Sequence, residues 1–228
     1  MRKIAASLAF ACWAVGFAGG GARSGASPVV WDFEDQTATG FKAGALTALQ
    51  LVHPSLEAVV TRPGDPSRFD VYDVNEIGNP SFPAGWGIRS LNPWFSNSGT
   101  AFVATFSRPI RSFALQMGDF GGDPDDLSLE AFAGPDATGA SLTAVAWQLP
   151  QGGSSFTSAE LRVSDPAASI RSVRFMGGSA AYATPFGVFS VPNSVYYDNF
   201  TATVPEPGGA VLTAVAAWGL AAGTRRRR

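Results

Sequence analysis

Apolar and polar residues alternate along most of this chain with a period of two, and no segment carries the spacing of a long amphipathic helix. Successive side chains of a strand point to opposite faces, so this period calls for sheets with one dry side and one wet side. Phe102, Ala104 and Phe106 share one face, with Ala101, Val103 and Thr105 on the other. Phe113, Leu115 and Met117 repeat the pattern, as do Leu127, Leu129 and Ala131, and then Val145, Trp147 and Leu149. Val173 and Phe175 are flanked by Arg171, Ser172 and Arg174. Adding Val29–Glu34, Ala58–Arg62, Leu161–Val163 and Tyr196–Thr203 makes about ten strands at short spacing. The 26 glycines and 16 prolines supply turns between them. The expectation is an all-β fold, an antiparallel β-sandwich of jelly-roll type, with Phe113, Leu115, Val145, Trp147 and Phe175 facing inward. Residues 36–56 read as a short helix or a loop, and residues 75–99, rich in Pro and Gly, as a long surface excursion. No repeat of 20–50 residues is visible.

Neither end belongs to that pattern. Met1-Arg2-Lys3 precedes an uncharged run from Ile4 to Ala18, then Gly19-Gly20-Gly21-Ala22 and Ser24-Gly25-Ala26. A basic start, an apolar stretch and a small-residue exit describe a secretory signal peptide over residues 1–26, with cleavage after Ala22 or Ala26. Cys12, the one cysteine, lies inside it, so the exported chain has no disulfide, thiolate metal site or cysteine nucleophile. At the other end, residues 204–228 run from Val204-Pro205-Glu206-Pro207 through an uncharged stretch, Gly208 to Thr224, into Arg225-Arg226-Arg227-Arg228. Seventeen helical residues span about 26 Å, a little less than a bilayer core. The arginines would hold that end on the cytoplasmic side.

This terminus resembles a PEP-CTERM sorting signal: a Pro-Glu-Pro triplet, a short apolar transmembrane helix and a basic end. The resemblance implies that Pro205, Glu206 and Pro207 are the element recognised by an integral-membrane exosortase. Arg225, Arg226, Arg227 and Arg228 would be the retention end. It further implies an inner-membrane intermediate held through 208–224. Removal of the tail would follow, with release to the cell surface or extracellular matrix of a bacterium with an outer membrane, where exopolysaccharide and biofilm lie.

The exported domain, residues 27–203, is acidic: 17 Asp and Glu against 9 Lys and Arg, a net charge of -8. Nucleic acid is a poor partner, since binding it needs clustered cations; divalent cations are plausible ones. The loop Gly118-Asp119-Phe120-Gly121-Gly122-Asp123-Pro124-Asp125-Asp126 packs four carboxylates between glycines. That density of hard oxygens suits Ca²⁺, although the spacing is not that of an EF-hand. A solvated acidic turn is the plainer alternative. A second set, Asp32 and Glu34 in Trp31-Asp32-Phe33-Glu34 with Asp198 in Tyr196-Tyr197-Asp198-Asn199-Phe200, is placed by alternation on strand faces. The opening Asp-Phe-Glu and closing Asp-Asn-Phe resemble calcium-containing carbohydrate-binding jelly rolls, which implies first and last strands side by side, sharing a structural Ca²⁺. Edge-strand solvation or turn capping would explain the same residues.

Catalysis finds little support. His53 is the only histidine, so a histidine zinc cluster is excluded, and a serine triad would have to use His53 although no Gly-x-Ser-x-Gly elbow occurs. A carboxylate pair for glycoside hydrolysis depends on separation in space. The reading is a non-catalytic, exported surface or matrix protein associated with exopolysaccharide. A carbohydrate-binding module is the alternative, and a secreted glycoside hydrolase a more distant one. For sugar binding the candidate rings are Trp86, Trp94 and Phe95, offering flat apolar faces; a small satellite core under a loop is the competing role.

Overall fold

The computed structural model describes residues 28–40, 44–63, 68–76, 82–83, 85–92, 100–121, 123–150, 155–179, 182–185, 187–189 and 194–206. The proposed signal peptide, Pro207, residues 208–228, and Trp94 with Phe95 lie outside them. The strands in chain order are β1 (Pro28–Trp31), β2 (Ala48–His53), β3 (Leu56–Thr61), β4 (Asp70–Asp73), β5 (Arg89–Asn92), β6 (Phe102–Ile110) and β7 (Ser112–Asp119). Then follow β8 (Asp125–Phe132), β9 (Ser141–Leu149), β10 (Thr157–Ser164), β11 (Ile170–Ser179), β12 (Tyr182–Thr184), β13 (Gly187–Phe189) and β14 (Tyr196–Thr203). A single 3₁₀ turn at Val74–Glu76 is the one helical element among the described residues.

Two antiparallel sheets pack face to face. The first runs β10-β7-β14-β5-β4, with β1 also on β14, and the second runs β2-β3-β6-β11-β8-β9. Consecutive strands repeatedly cross from one sheet to the other, which binds the layers into one all-β sandwich. Their inner faces meet in an aromatic core. Phe102 and Phe175 stack at 5.4 Å between ring centres, and both meet Tyr197 edge-on at 5.2 and 5.1 Å. Edge-to-face pairs of this kind add about 0.5–1.5 kcal/mol each beyond their buried area. The Tyr197 hydroxyl, wholly buried, accepts a hydrogen bond from the Gly177 N–H at 2.8 Å and so ties β14 of one sheet to β11 of the other.

Phe113, Leu115 and Phe175 are fully buried, as alternation predicts, and Val145 is half-buried against the core. Trp147 is different: it is 59% exposed. It faces the side that alternation assigns, opposite the buried Leu127. However, β9 is the last strand of its sheet, and a side chain beyond the opposing layer has nothing to cover it.

Residues 36–56 hold no helix among those described, but the strand β2, whose Leu49 and Leu51 face inward while six residues pair with β3. Segment 75–99 is likewise more than an excursion, because β5 lies within it. Leu91 of β5 is fully buried between β4 and β14. Strands of four residues carry too few alternations to stand out in a sequence.

Candidate functional site

The first and last strands do lie together. β1 pairs antiparallel with β14, Pro28 opposite Thr203 and Trp31 opposite Phe200. Past Trp31 the chain turns through Phe33, whose φ of 62° sits in the left-handed region, and Glu34 is delivered to the start of β5. Glu34 Oε1 accepts hydrogen bonds from the Ile88 and Arg89 N–H groups at 2.8 and 2.9 Å. Gly87 is required there, since a Cβ on it would stand 2.1 Å from Glu34 Oε1. The Arg89 guanidinium closes the turn by donating to the Glu34 and Gln36 carbonyls, both at 2.7 Å.

Asp198 comes to this junction through an irregularity of β14. The register against β7 shifts between Asp198 and Thr201, and Asn199 takes a φ of 49°. A bulge re-aims a side chain, and here Asp198 is fully buried. Its Oδ1 accepts the Asn199 N–H at 2.6 Å, while its Oδ2 has no partner. Burial, then the negative charges of Glu34 and Asp32, push the carboxyl up to about 9, with the Asn199 N–H pulling the other way. Asp32 itself is exposed, its Oδ1 accepting the Glu34 N–H at 3.3 Å.

Asp70 makes the contrast. It is equally buried, yet its two oxygens accept from Thr39 Oγ1 and from the Gly44 and Ala45 N–H groups at 2.9–3.0 Å. A buried carboxylate is tolerable when donors surround it and costly when they do not. Asp70 is an anchor for the 39–45 loop that sequence reading passed over; Asp198 is an acceptor with an unmet need.

The β7–β8 loop gathers the other carboxylates. Asp125 is buried with Oδ1 unpartnered, and burial, reinforced by Asp119, Asp123 and Asp126, pushes it up to about 7. Asp119 rises to about 6, mainly by burial and then by Asp123, against the lowering effect of the Phe120 and Gly121 N–H groups. Gly121 lies between them: a Cβ there would meet Asp119 Oδ2 at 2.2 Å and Asp123 Oδ1 at 3.0 Å. Asp126 parts from this group. It is exposed, accepts from Gln148 Nε2 at 3.0 Å, and points to the opposite face from its strand neighbour Asp125. Among the described residues no three His, Cys, Asp or Glu side chains stand close enough together to hold one ion as they are.

Trp86 is not a sugar platform. It is buried in a satellite core with Tyr72, Val74, Phe82 and Tyr196, its ring 4.8 Å from that of Phe156 and 5.7 Å from that of Phe82. Phe82 and Trp86 fold back on this end of the sandwich, and the indole has more to gain from aromatic neighbours than from water. His53 hydrogen-bonds locally, its Nδ1 2.9 Å from Ser55 Oγ. Pro205 is half-buried and Glu206 exposed, just after β14.

A groove of about 840 Å³ crosses the outer face of the second sheet and contains two carboxylates, Glu130 and Asp136. Glu130 is paired with Arg174 and accepts from Ser141 Oγ at 2.7 Å. The Ser141 hydroxyl first, and Arg174 with it, hold Glu130 below its usual range. A glycosidase acid needs the opposite shift. A smaller groove of about 360 Å³ continues from the first past Gln148 to Trp147, and another of about 600 Å³ follows the seam between β9 and β10. Trp147 lines both of these smaller grooves. Its exposed indole is the site feature that sequence reading missed, because alternation marked it as core.

Fold and site together define an antiparallel β-sandwich with two sets of carboxylates, each around one buried aspartate, and, among the described residues, one exposed edge tryptophan. No protein-family model and no curated protein matches the chain. Among solved structures, the K2 cleaved adhesin domain of Lys-gingipain is similar at 12% identity and a TM-score of 0.46, over 79% of this chain and 100% of that one. The K1 cleaved adhesin domain of Lys-gingipain from Porphyromonas gingivalis W83 gives 12% and 0.41, over 78% and 99%. The N-terminal CBM22-1-CBM22-2 tandem domain from Paenibacillus barcinonensis Xyn10C gives 13% and 0.37, over 78% of this chain and 50% of that one. Likenesses this distant say nothing of ligand or activity.

Proposed function

We propose that this chain is an exported, non-catalytic surface or extracellular-matrix protein whose β-sandwich associates with exopolysaccharide. The observation that carries the sugar reading is Trp147, a flat indole exposed at the edge of a rigid sandwich beside the groove along the β9–β10 seam. Pyranose rings present apolar faces that suit such a surface. The non-catalytic reading is supported by Glu130, which is tied to Arg174 and Ser141 in its groove, and by His53, which is engaged in a local turn. Export and processing rest on the two termini. Exosortase would recognise Pro205-Glu206-Pro207 while 208–224 crosses the inner membrane and Arg225–Arg228 hold the cytoplasmic side, and the processed domain would reach the surface or matrix.

Structural Ca²⁺ belongs to the same proposal. The donors are hard oxygens, and the orphaned Asp198 Oδ2 is the atom a cation would satisfy. Neither set stands close enough to share an ion as it is; Asp32, Glu34 and Asp198 would have to draw together around one, fastening β1 to β14, and Asp119, Asp123 and Asp125 around another at the β7–β8 loop. Calcium there neutralises carboxylates that otherwise repel.

Polysaccharide-containing native gels, run beside a reducing-sugar assay, test the function. Retarded migration with no release of reducing ends is expected. Steady release of sugar from any tested polysaccharide would overturn the non-catalytic reading.

A further inference from the structure

The acidic β7–β8 loop and the β9–β10 seam meet at one end of the sandwich. Asp119 is the last residue of β7 and lies opposite Thr157, the first of β10. Asp125 is the first residue of β8 and lies opposite Leu149, the last of β9. Thr157 and Leu149 both line the seam groove that Trp147 stands beside. Alternation turns Asp119 to the face of the buried Leu115 and Met117, and Asp125 to the face of the buried Leu127 and Leu129. The two carboxylates therefore face the space between the layers, one from each sheet, where the seam begins. On that face Trp147 is one row from Leu149, about 7 Å along β9.

Asp123 lies in the loop between them, and Gly121 leaves the room for Asp119 and Asp123 to approach. Asp125 is 1% exposed, yet its Oδ1 has no hydrogen-bond partner. A buried carboxylate oxygen without a donor is the atom a cation would satisfy.

We infer that this loop is a calcium switch for the seam, so that Ca²⁺ and polysaccharide bind cooperatively. The inference rests on the carbohydrate reading above and adds the regulation of that site. Its two states differ in defined contacts, as coupling between sites requires. Without the ion, like charges keep Asp119, Asp123 and Asp125 too far apart to share one centre. With it, oxygens from both sheets close on one ion and tie the end of β7 to the start of β8. The pairs Asp119–Thr157 and Asp125–Leu149 carry that position to β10 and β9, and so set the width of the seam. Calcium suits such a set, because it accepts irregular shells of 6–8 oxygens and takes water for those the protein does not supply. Asp32, Glu34 and Asp198 belong to the β1–β14 junction, whose strands do not line the seam, and serve as the control.

The test is affinity electrophoresis of the full-length chain in gels holding hydroxyethylcellulose, dextran or xylan. Each is run in EDTA, in millimolar Ca²⁺ and in millimolar Mg²⁺, beside a sugar-free gel with the same ion. Calcium should strengthen retardation by at least one polymer about tenfold, and Mg²⁺ much less. Asp119→Asn and Asp123→Asn, at two half-buried positions, should each reduce the calcium value to the EDTA value. Asp198→Asn should keep the calcium effect, and Trp147→Ala should weaken retardation with and without the ion. Melting curves in EDTA will show that the variants fold. Equal retardation in EDTA and Ca²⁺ overturns the switch and leaves the carbohydrate reading standing. A calcium effect that survives both loop variants, or vanishes with Asp198→Asn, overturns its assignment to this loop, and an equal effect of Mg²⁺ overturns calcium as the ion. Retardation untouched by Trp147→Ala takes the ligand out of the seam and overturns the linkage. No retardation of the wild type in any gel sinks the carbohydrate reading and the switch with it.

Discussion

Replacing Asp198 by asparagine separates a buried acid from a buried cation site. The folded carboxyl titrates at about 9 against an ordinary 3.8. Below the ordinary value both folded and unfolded chains hold the proton and nothing is lost. Between the two values the unfolded chain releases a proton that the folded chain keeps, so stability falls as pH rises and the loss levels off only above about 9. Each unit is worth ~1.4 kcal/mol. The loss is therefore about 2 kcal/mol at pH 5 and on the order of 6 kcal/mol at pH 8, against a typical total of 5–15 kcal/mol. Asparagine has no proton to lose, though its amide, placed where Asp198 Oδ2 has no partner, costs ~1–3 kcal/mol at every pH. In EDTA the variant should gain on the wild type by roughly 4 kcal/mol between pH 5 and pH 8. The acidic β7–β8 loop is common to both proteins and cancels in that difference. Calcium should narrow the gap: at about 100 times its dissociation constant it adds ~2.7 kcal/mol to the wild type and much less to the variant. Urea denaturation at the two pH values, with EDTA or millimolar Ca²⁺, measures all four terms. Parallel loss of stability in the two proteins from pH 5 to pH 8 in EDTA would refute the reasoning.

Tyr197→Phe should cost ~1–3 kcal/mol, because it leaves the buried Gly177 N–H without its acceptor; an unchanged urea midpoint would count against that cross-sheet bond. Asp125→Asn should flatten the pH dependence in EDTA between about pH 4 and 7, since the raised carboxyl makes the folded chain lose stability as pH rises through that window. In a companion Asp119→Asn variant, NMR titration should find Asp125 moved back toward its ordinary value, and no movement would deny the coupling. Substituting Pro205, Glu206 and Pro207 together should leave an unprocessed, membrane-bound precursor on immunoblots of an exosortase-containing host, and normal processing there would remove the sorting assignment.

Backbone pleating made much of this fold legible in advance. A period of two assigns each residue to a face of its sheet whatever the tertiary fold, so Phe113, Leu115 and Phe175 could be named as core and are fully buried. Asp32, Glu34 and Asp198 were legible as a set through a resemblance in the residues at the two ends of the domain, and pairing of β1 with β14 brings those ends together. Face, however, is a property of one strand, while burial needs a second layer above it. Trp147 sits on the inner face of an edge strand and stays open to water; Trp86, in a loop rich in glycine and proline, is buried because that loop returns over Tyr72 and Tyr196. In the same way the sequence supplies a carboxylate at position 198, but a register shift in β14 turns it inward and leaves one oxygen with nothing to bond. Local alternation comes from the backbone's own geometry. Exposure of an indole and isolation of a charge come from neighbours distant in the chain, and only packing brings those into place.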